Sequence, residues 1–183
     1  MKTFAYHLFE TALGRCAMAW GESGVLSVSF PEKDDATTVD RLARRPKYLG
    51  YEGDEEEASP PQGIVRLVKD ITALFEGARP NFADARLDME GIAAFDRELY
   101  ALTLAIPAGE LKTYGDLAKA LGDVSLSRRV GQSLGRNPFP IIVPCHRVVG
   151  ADGAMTGFSA PGGAEVKRRL LKIEGAIEPD LFD

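Results

Sequence analysis

Pro144-Cys145-His146-Arg147 sets a thiol, an imidazole and a guanidinium in consecutive positions. A thiol attacks as its thiolate, and a nearby base or cation favours that form, so Cys145 is the candidate nucleophile. Prolines at 138, 140 and 144 have fixed φ and no N–H, so the stretch from Asn137 cannot be an interior strand. It reads as an extended, rigid support that ends in Cys145. Consecutive side chains of an extended chain point to opposite sides, which strains a direct Cys145–His146 hydrogen bond and makes a bridging water the expected proton path. The second cysteine, Cys16, shares an inward row with Met18 and Trp20 and reads as a small buried hydrophobe. Neither cysteine belongs to a C-x-x-C pair, which excludes a disulfide scaffold and a cysteine-based zinc site.

A histidine used as a base needs an acceptor to hold its tautomer. On a helix expected over 164–174, Val166, Leu170 and Ile173 form the core row and leave Glu174 at its edge, so Glu174 is the candidate orienter. Upstream, Thr113-Tyr114-Gly115-Asp116 has capping-box spacing and opens a helix over 114–121 that buries Leu117, Ala118 and Leu121. The turn Gly122-Asp123-Val124-Ser125 and a helix from Leu126 to Gly135 complete a helix-turn-helix over 114–136. On this last helix Leu126, Val130 and Leu134 make a narrow apolar stripe, with Arg128, Gly131, Gln132 and Gly135 opposite. Each glycine costs a helix about 1 kcal/mol relative to alanine, and a face so thin lets another backbone approach closely.

The net charge of −5 is unevenly divided: residues 1–90 hold 11 basic and 16 acidic residues, residues 91–183 hold 11 of each. Between Val124 and Ala151 there are four arginines, Arg128, Arg129, Arg136 and Arg147, and no acid, and Lys167, Arg168, Arg169 and Lys172 follow. Such a stripe on an acidic chain suits a polyanion bound at one face. No apolar run approaches the roughly 18 residues of a membrane span, and Glu10 and Arg15 interrupt a signal-peptide reading, so the expected compartment is the cytoplasm without membrane partners.

The first half reads as an α+β domain over 1–90. Arg15–Trp20 and the alternating Leu26, Val28 and Phe30 form a hairpin about Gly21-Glu22-Ser23-Gly24. Residues 44–62, with Arg44-Arg45-Pro46, Asp54-Glu55-Glu56-Glu57 and Ser59-Pro60-Pro61, lack periodicity and read as a mobile acidic loop. Ile64, Leu67, Val68, Ile71, Leu74 and Phe75 then mark an amphipathic helix ended by Gly77 and Pro80. A second domain over 91–183 begins with a helix carrying Phe95, Leu99, Leu102 and Ile106, stopped by Pro107 and Gly109.

Pro144-Cys145-His146-Arg147-Val148 resembles the active-site motif of the O6-alkylguanine-DNA alkyltransferases, also called methylated-DNA-protein-cysteine methyltransferases. Gly109-x-x-x-Thr113-Tyr114-Gly115-x-Leu117-Ala118, Arg128-x-Val130-Gly131, Asn137-Pro138-x-Pro140-Ile141, Gly157-Phe158-Ser159 and Leu170-Leu171-x-x-Glu174-Gly175 follow in family order, over roughly 92–176. The resemblance implies a small ribonuclease H-like N-terminal domain and a mainly helical winged helix-turn-helix domain. It implies a single-turnover transfer of an alkyl group from O6-alkylguanine, and from O4-alkylthymine, in double-stranded DNA to Cys145. His146 would act as base through water, Glu174 as its partner, Asn137 as brace of the active-site turn and Tyr114 as hydrogen-bond donor to the guanine. Gly157, Phe158 and Ser159 would line the pocket, Arg147 and Val148 would flank it, and Arg128 would fill the gap left by the flipped nucleotide. Gly131 and Gln132 would face the minor groove, with Arg136 near a phosphate.

Phe158 stands where many relatives have tyrosine, which bears on alkyl-size tolerance. Some relatives hold zinc in the first domain, where this chain has only Cys16 and His7, so no metal and no cofactor are expected. The expected state is a monomer. The rival readings are a non-catalytic lesion-binding helix-turn-helix protein, against which Cys145 speaks, and a Cys-His hydrolase, which needs a direct Cys–His contact and an oxyanion hole.

Overall fold

A computed structural model describes residues 1–56, 59–155 and 158–179. Strands β1 (Lys2–Thr11), β2 (Gly14–Gly21) and β3 (Gly24–Ser29) form an antiparallel meander. β4 (Tyr51–Glu56) adds parallel to β1, giving the order β3-β2-β1-β4. Alternation along β2 sends Cys16, Met18 and Trp20 to one face with Phe9, Val28 and Phe30. Ala17 and Ala19 go to the other face with Phe4, Leu26 and Tyr51. The first face packs on α2 (Gln62–Phe75) through Ile64, Leu67, Ile71 and Leu74; the second packs on α1 (Asp35–Tyr48) through Leu42 and Ala43.

The loop expected over 44–62 is largely regular structure: residues 44–48 close α1 and residues 51–56 are β4. Residues 57 and 58 of that span lie outside the described residues. Pro46 deprives the Leu42 carbonyl of its helical N–H, and the Ser27 hydroxyl donates to that carbonyl at 2.8 Å instead. That side-chain bond lets the helix run through a residue that ordinarily stops it. β4 is an edge strand, where apolar alternation is not required. Its Tyr51 is buried and donates to Asp88 Oδ2 at 2.9 Å.

The chain then returns to the opposite edge, where Val25 N–H donates to Arg86 O and Asp88 N–H to Val25 O, both at 2.8 Å. Gly24 is required at this crossing: its φ is +131°, and a Cβ would lie 2.2 Å from Arg86 O.

The second half runs α3 (Ala94–Leu104), β5 (Lys112–Thr113), α4 (Tyr114–Ala120), a 3-10 turn (Val124–Leu126) and α5 (Ser127–Gly135). A second 3-10 turn (Cys145–Arg147), β6 (Val148–Val149) and α6 (Gly163–Ile173) follow. The capping box forms in both directions: Asp116 N–H donates to Thr113 Oγ1 at 3.0 Å and Thr113 N–H to Asp116 Oδ2 at 2.8 Å. The larger apolar cluster is continuous from Met18 and Ile71 to Leu99, Phe139 and Leu170, so the sheet and the helices share one core. α6 is turned relative to the expected row: Lys167, Leu170 and Leu171 are buried, while Val166 and Ile173 are half-buried. No helix among the described residues is long and apolar enough to cross a membrane.

The cap at Thr113 fixes the start of α4 and with it Tyr114. Thr113→Ala removes one side of the box and is expected to lower unfolding free energy by about 1 kcal/mol in urea titration, with an unchanged dependence on denaturant.

Candidate active site

The segment from Asn137 to Pro144 is a succession of turns, not the extended support its prolines imply. Proline fixes φ but leaves ψ free, and tertiary bonds choose the turns. Asn137 Nδ2 donates to Val143 O and its Oδ1 accepts from Phe139 N–H, both at 2.9 Å, while Val143 N–H donates to Phe139 O at 2.8 Å. Ile141 is held at φ +75°, a left-handed conformation that costs a β-branched residue on the order of 1–3 kcal/mol and persists because these bonds and full burial enforce it. Pro144, at φ −81° and ψ 65°, makes an inverse γ-turn closed by Cys145 N–H on Val143 O at 2.8 Å. The first half of the chain grips the same segment: Val28 N–H of β3 donates to Pro138 O at 2.9 Å, and the guanidinium of Arg45 on α1 lies 5.2 Å from the Phe139 ring centroid.

Cys145 heads the 3-10 turn, and His146, Arg147 and Glu174 are assembled beneath it. His146 Nε2 lies 2.8 Å from Glu174 Oε1. Arg147 Nε donates to Oε2 at 3.0 Å, its Nη2 to Oε1 at 2.8 Å and its Nη1 to Ile106 O at 2.6 Å. All three side chains are buried. Burial alone would raise the Glu174 pKa, but the bonds from His146 and Arg147 outweigh it and hold the carboxyl at about 2. Burial pushes the His146 pKa below its ordinary value, against the pull of Glu174, so the ring is neutral at pH 7. A carboxylate only accepts hydrogen bonds, so Nε2 carries the imidazole proton and Nδ1 keeps its lone pair. Nδ1 is buried and has no hydrogen-bond partner among the described residues. Among the described residues the Cys145 thiol is bonded by the His146 backbone, and no hydrogen bond joins it to the imidazole.

Burial raises the Cys145 pKa, opposed by a hydrogen bond from Asn137 and by the positive charge of Lys167. The resting group is therefore a thiol, whose proton must leave for attack. The sequence places Lys167 in the basic stripe, yet it is 1% exposed, with Nζ donating to Val148 O at 2.5 Å. Burial lowers its pKa to about 8, offset in part by Cys145. Its spacing from Leu170, Leu171 and Glu174 is that of one helix face, which is the signal that identifies it. The ammonium sits 5.8 Å from the Tyr114 ring centroid.

Cys145 opens into a cavity of about 150 Å³ that is also lined by Asn137, Pro140, Phe158, Ser159, Arg41 and Arg45. Val148 is fully buried in β6, and Arg147, expected to flank a substrate, is engaged by Glu174 and the Ile106 carbonyl. Gly157 lies outside the described residues. On α5, Arg128 and Gln132 are exposed, and Arg128 makes no ion pair among the described residues. Its neighbour Arg129 stacks 3.8 Å from the Phe95 ring centroid. Gly131 lies under Tyr114, where a Cβ would meet the ring at 3.8 Å, and Gly135 faces open space. Arg136 is exposed and lies 3.6 Å from Asp96.

Residues 94–176 match the model of the 6-O-methylguanine DNA methyltransferase DNA-binding domain. A methylated-DNA–protein-cysteine methyltransferase of Methanosarcina acetivorans is 35% identical over 172 residues, 93% of this chain and 98% of that protein. The crystal structure of Mycobacterium tuberculosis OGT in complex with DNA is similar at a TM-score of 0.74 and 31% identity, over 98% of this chain and 99% of that one. The O6-methylguanine-DNA methyltransferase of Pyrococcus kodakaraensis matches at 0.69 and 29% identity, over 94% and 99%. The fold and a cysteine presented over a buried histidine–carboxylate pair thus come with full-length likeness, and the chain belongs to the methylated-DNA–protein-cysteine methyltransferase family.

Glu174 has a lower pKa folded than unfolded, so its contribution to stability is complete above about pH 4.5 and is lost as pH falls toward about 2. Glu174→Gln is expected to shrink this acid limb in a thermal-midpoint titration. At pH 7 the variant loses about 3–5 kcal/mol, because Arg147 stays buried without its counter-charge. Identical acid limbs in the two proteins would contradict the assignment.

Proposed function

We propose that the protein repairs alkylated DNA by transferring the alkyl group of O6-alkylguanine, and of O4-alkylthymine, irreversibly to Cys145. The observation that carries this reading is the buried His146–Glu174–Arg147 assembly under a thiol at the floor of a cavity. The Cys145 proton passes through one water to His146 Nδ1, and the imidazolium so formed is paired with Glu174. The thiolate attacks the alkyl carbon in line. A carbon–sulfur bond forms, the carbon–O6 bond breaks, and its electron pair leaves with the guanine. Tyr114 donates a hydrogen bond to that leaving base, which then takes a proton from solvent. Lys167 stabilises the thiolate through the field it already exerts on Cys145. The thioether product resists hydrolysis, so each molecule acts once.

A buried thiol reaches an alkyl carbon inside a stacked duplex only if the nucleotide is flipped out. Arg128, exposed and without an ion pair among the described residues, is assigned to the gap that flipping leaves. The thin face about Gly131 and Gly135 fits α5 to the minor groove, with Gln132 toward the bases and Arg136 toward a phosphate. Asn137 braces the acceptor segment, and Gly157, Phe158 and Ser159 border the alkyl group. We assign residues 1–90 to a ribonuclease H-like domain and 91–183 to a winged helix-turn-helix domain, with β5 and β6 as the rudiment of the wing. Acceptor, base and DNA-reading helix all lie on one chain, which supports action as a monomer.

Incubation with a duplex containing O6-methylguanine is expected to add one methyl group, mapped to the peptide of Cys145 and reaching a plateau at one equivalent. Repeated turnover, or methyl on Cys16, would sink the assignment. Cys145→Ser should bind the lesion and transfer nothing, since a hydroxyl is too weak a nucleophile here.

Arg128→Ala is expected to slow repair of a base-paired lesion strongly while leaving transfer from free O6-benzylguanine nearly unchanged. Arg128→Lys should recover only part of the loss, because an ammonium lacks the planar fork. Full recovery by lysine with a salt-dependent affinity change would instead make Arg128 a phosphate contact.

A further inference from the structure

The rim of the Cys145 cavity at Phe158–Ser159 is tied to three places at once. The Ser159 hydroxyl donates to the Gly135 carbonyl at the end of α5, at 2.8 Å. The Ser159 carbonyl accepts from Arg41 Nη2 of α1 at 2.7 Å. Phe158 meets Phe30, just beyond β3, edge to face with centroids 5.8 Å apart. Arg41 is itself aimed by Glu32, whose Oε1 accepts from Nη1 at 3.1 Å, and the Glu32 backbone is fixed by Thr38 Oγ1 at 3.0 Å. Two of these ties come from the sheet half of the chain.

We infer that Arg41 is a positioning residue of the transfer reaction that fixes the pocket rim through the Ser159 carbonyl and thereby sets which alkyl groups the pocket takes. The inference rests on the functional reading above. A methyl group is small for the cavity and needs a fixed rim to be held in line with the thiol. A benzyl group fills the space itself and needs the rim to give way. Both ends of the guanidinium are engaged, which makes rim tethering and not DNA contact the use of this arginine.

The test uses the full chain and one duplex sequence carrying either O6-methylguanine or O6-benzylguanine, with rates measured at saturating DNA. Arg41→Ala is expected to slow methyl transfer about fivefold, the effect of one exposed charge-assisted hydrogen bond, and to leave benzyl transfer equal or faster. The benzyl-to-methyl ratio therefore rises about fivefold while the DNA Kd and its salt slope stay unchanged. Arg41→Lys should restore part of the methyl rate, since an ammonium reaches the carbonyl without the fork that also holds Glu32. Glu32→Gln, which loosens Arg41 without removing the cation, should move the ratio the same way by less. Equal loss on both substrates, no change on either, or a weaker Kd with a flatter salt slope would each overturn the inference. Absence of alkyl on Cys145 in the unaltered chain would overturn the functional reading itself.

Discussion

A single carboxylate out of reach of water organises this site. Glu174, at the end of α6, accepts from His146 on one side and from the forked Arg147 on the other, so two elements distant in sequence converge on one buried charge. Its charge keeps the proton on Nε2 of the histidine, which leaves Nδ1 as the basic nitrogen. Arg147 supplies the compensation that makes such a buried charge tolerable, and its remaining bond to Ile106 O reaches the residues that follow α3. The tautomer, the position of the Cys145 turn and the docking of α6 are therefore one constraint.

The same economy governs the thiol. Burial holds Cys145 protonated at rest, while Asn137 and Lys167 lower the cost of its thiolate. The strained turn at Ile141 is the local expense of presenting the sulfur at the cavity floor, and it is sustained by Val28 of β3 and Arg45 of α1. The sheet half is thus part of the support of the Cys145 segment, consistent with a core that runs unbroken from Met18 to Leu170.

The pairing of His146 with Glu174 beside Cys145 and the capped helix pair α4–α5 were legible from types and spacing, because each follows from local chemistry or helical period. The turns over 137–144 were not, since proline restricts φ and the choice of ψ is made by Asn137 and Val28. Helix α1 was hidden by Pro46, whose cost is met by a serine 19 positions earlier that no local rule connects to it. Strand β4 was hidden because an edge strand needs no apolar alternation. Lys167 was legible in principle, being in phase with Leu170 and Glu174, but its charge drew it into a surface reading. Arg41 carries no sequence signal: its partner Ser159 lies 118 residues away.

His146 at rest is a neutral imidazole with its lone pair on Nδ1. Nitrogen-15 NMR of the imidazole in the unmodified protein tests it most directly. The account predicts the Nε2–H tautomer at pH 7, with the ring still neutral below its ordinary pKa of 6.5. An imidazolium at pH 7, or a proton resident on Nδ1, would contradict it.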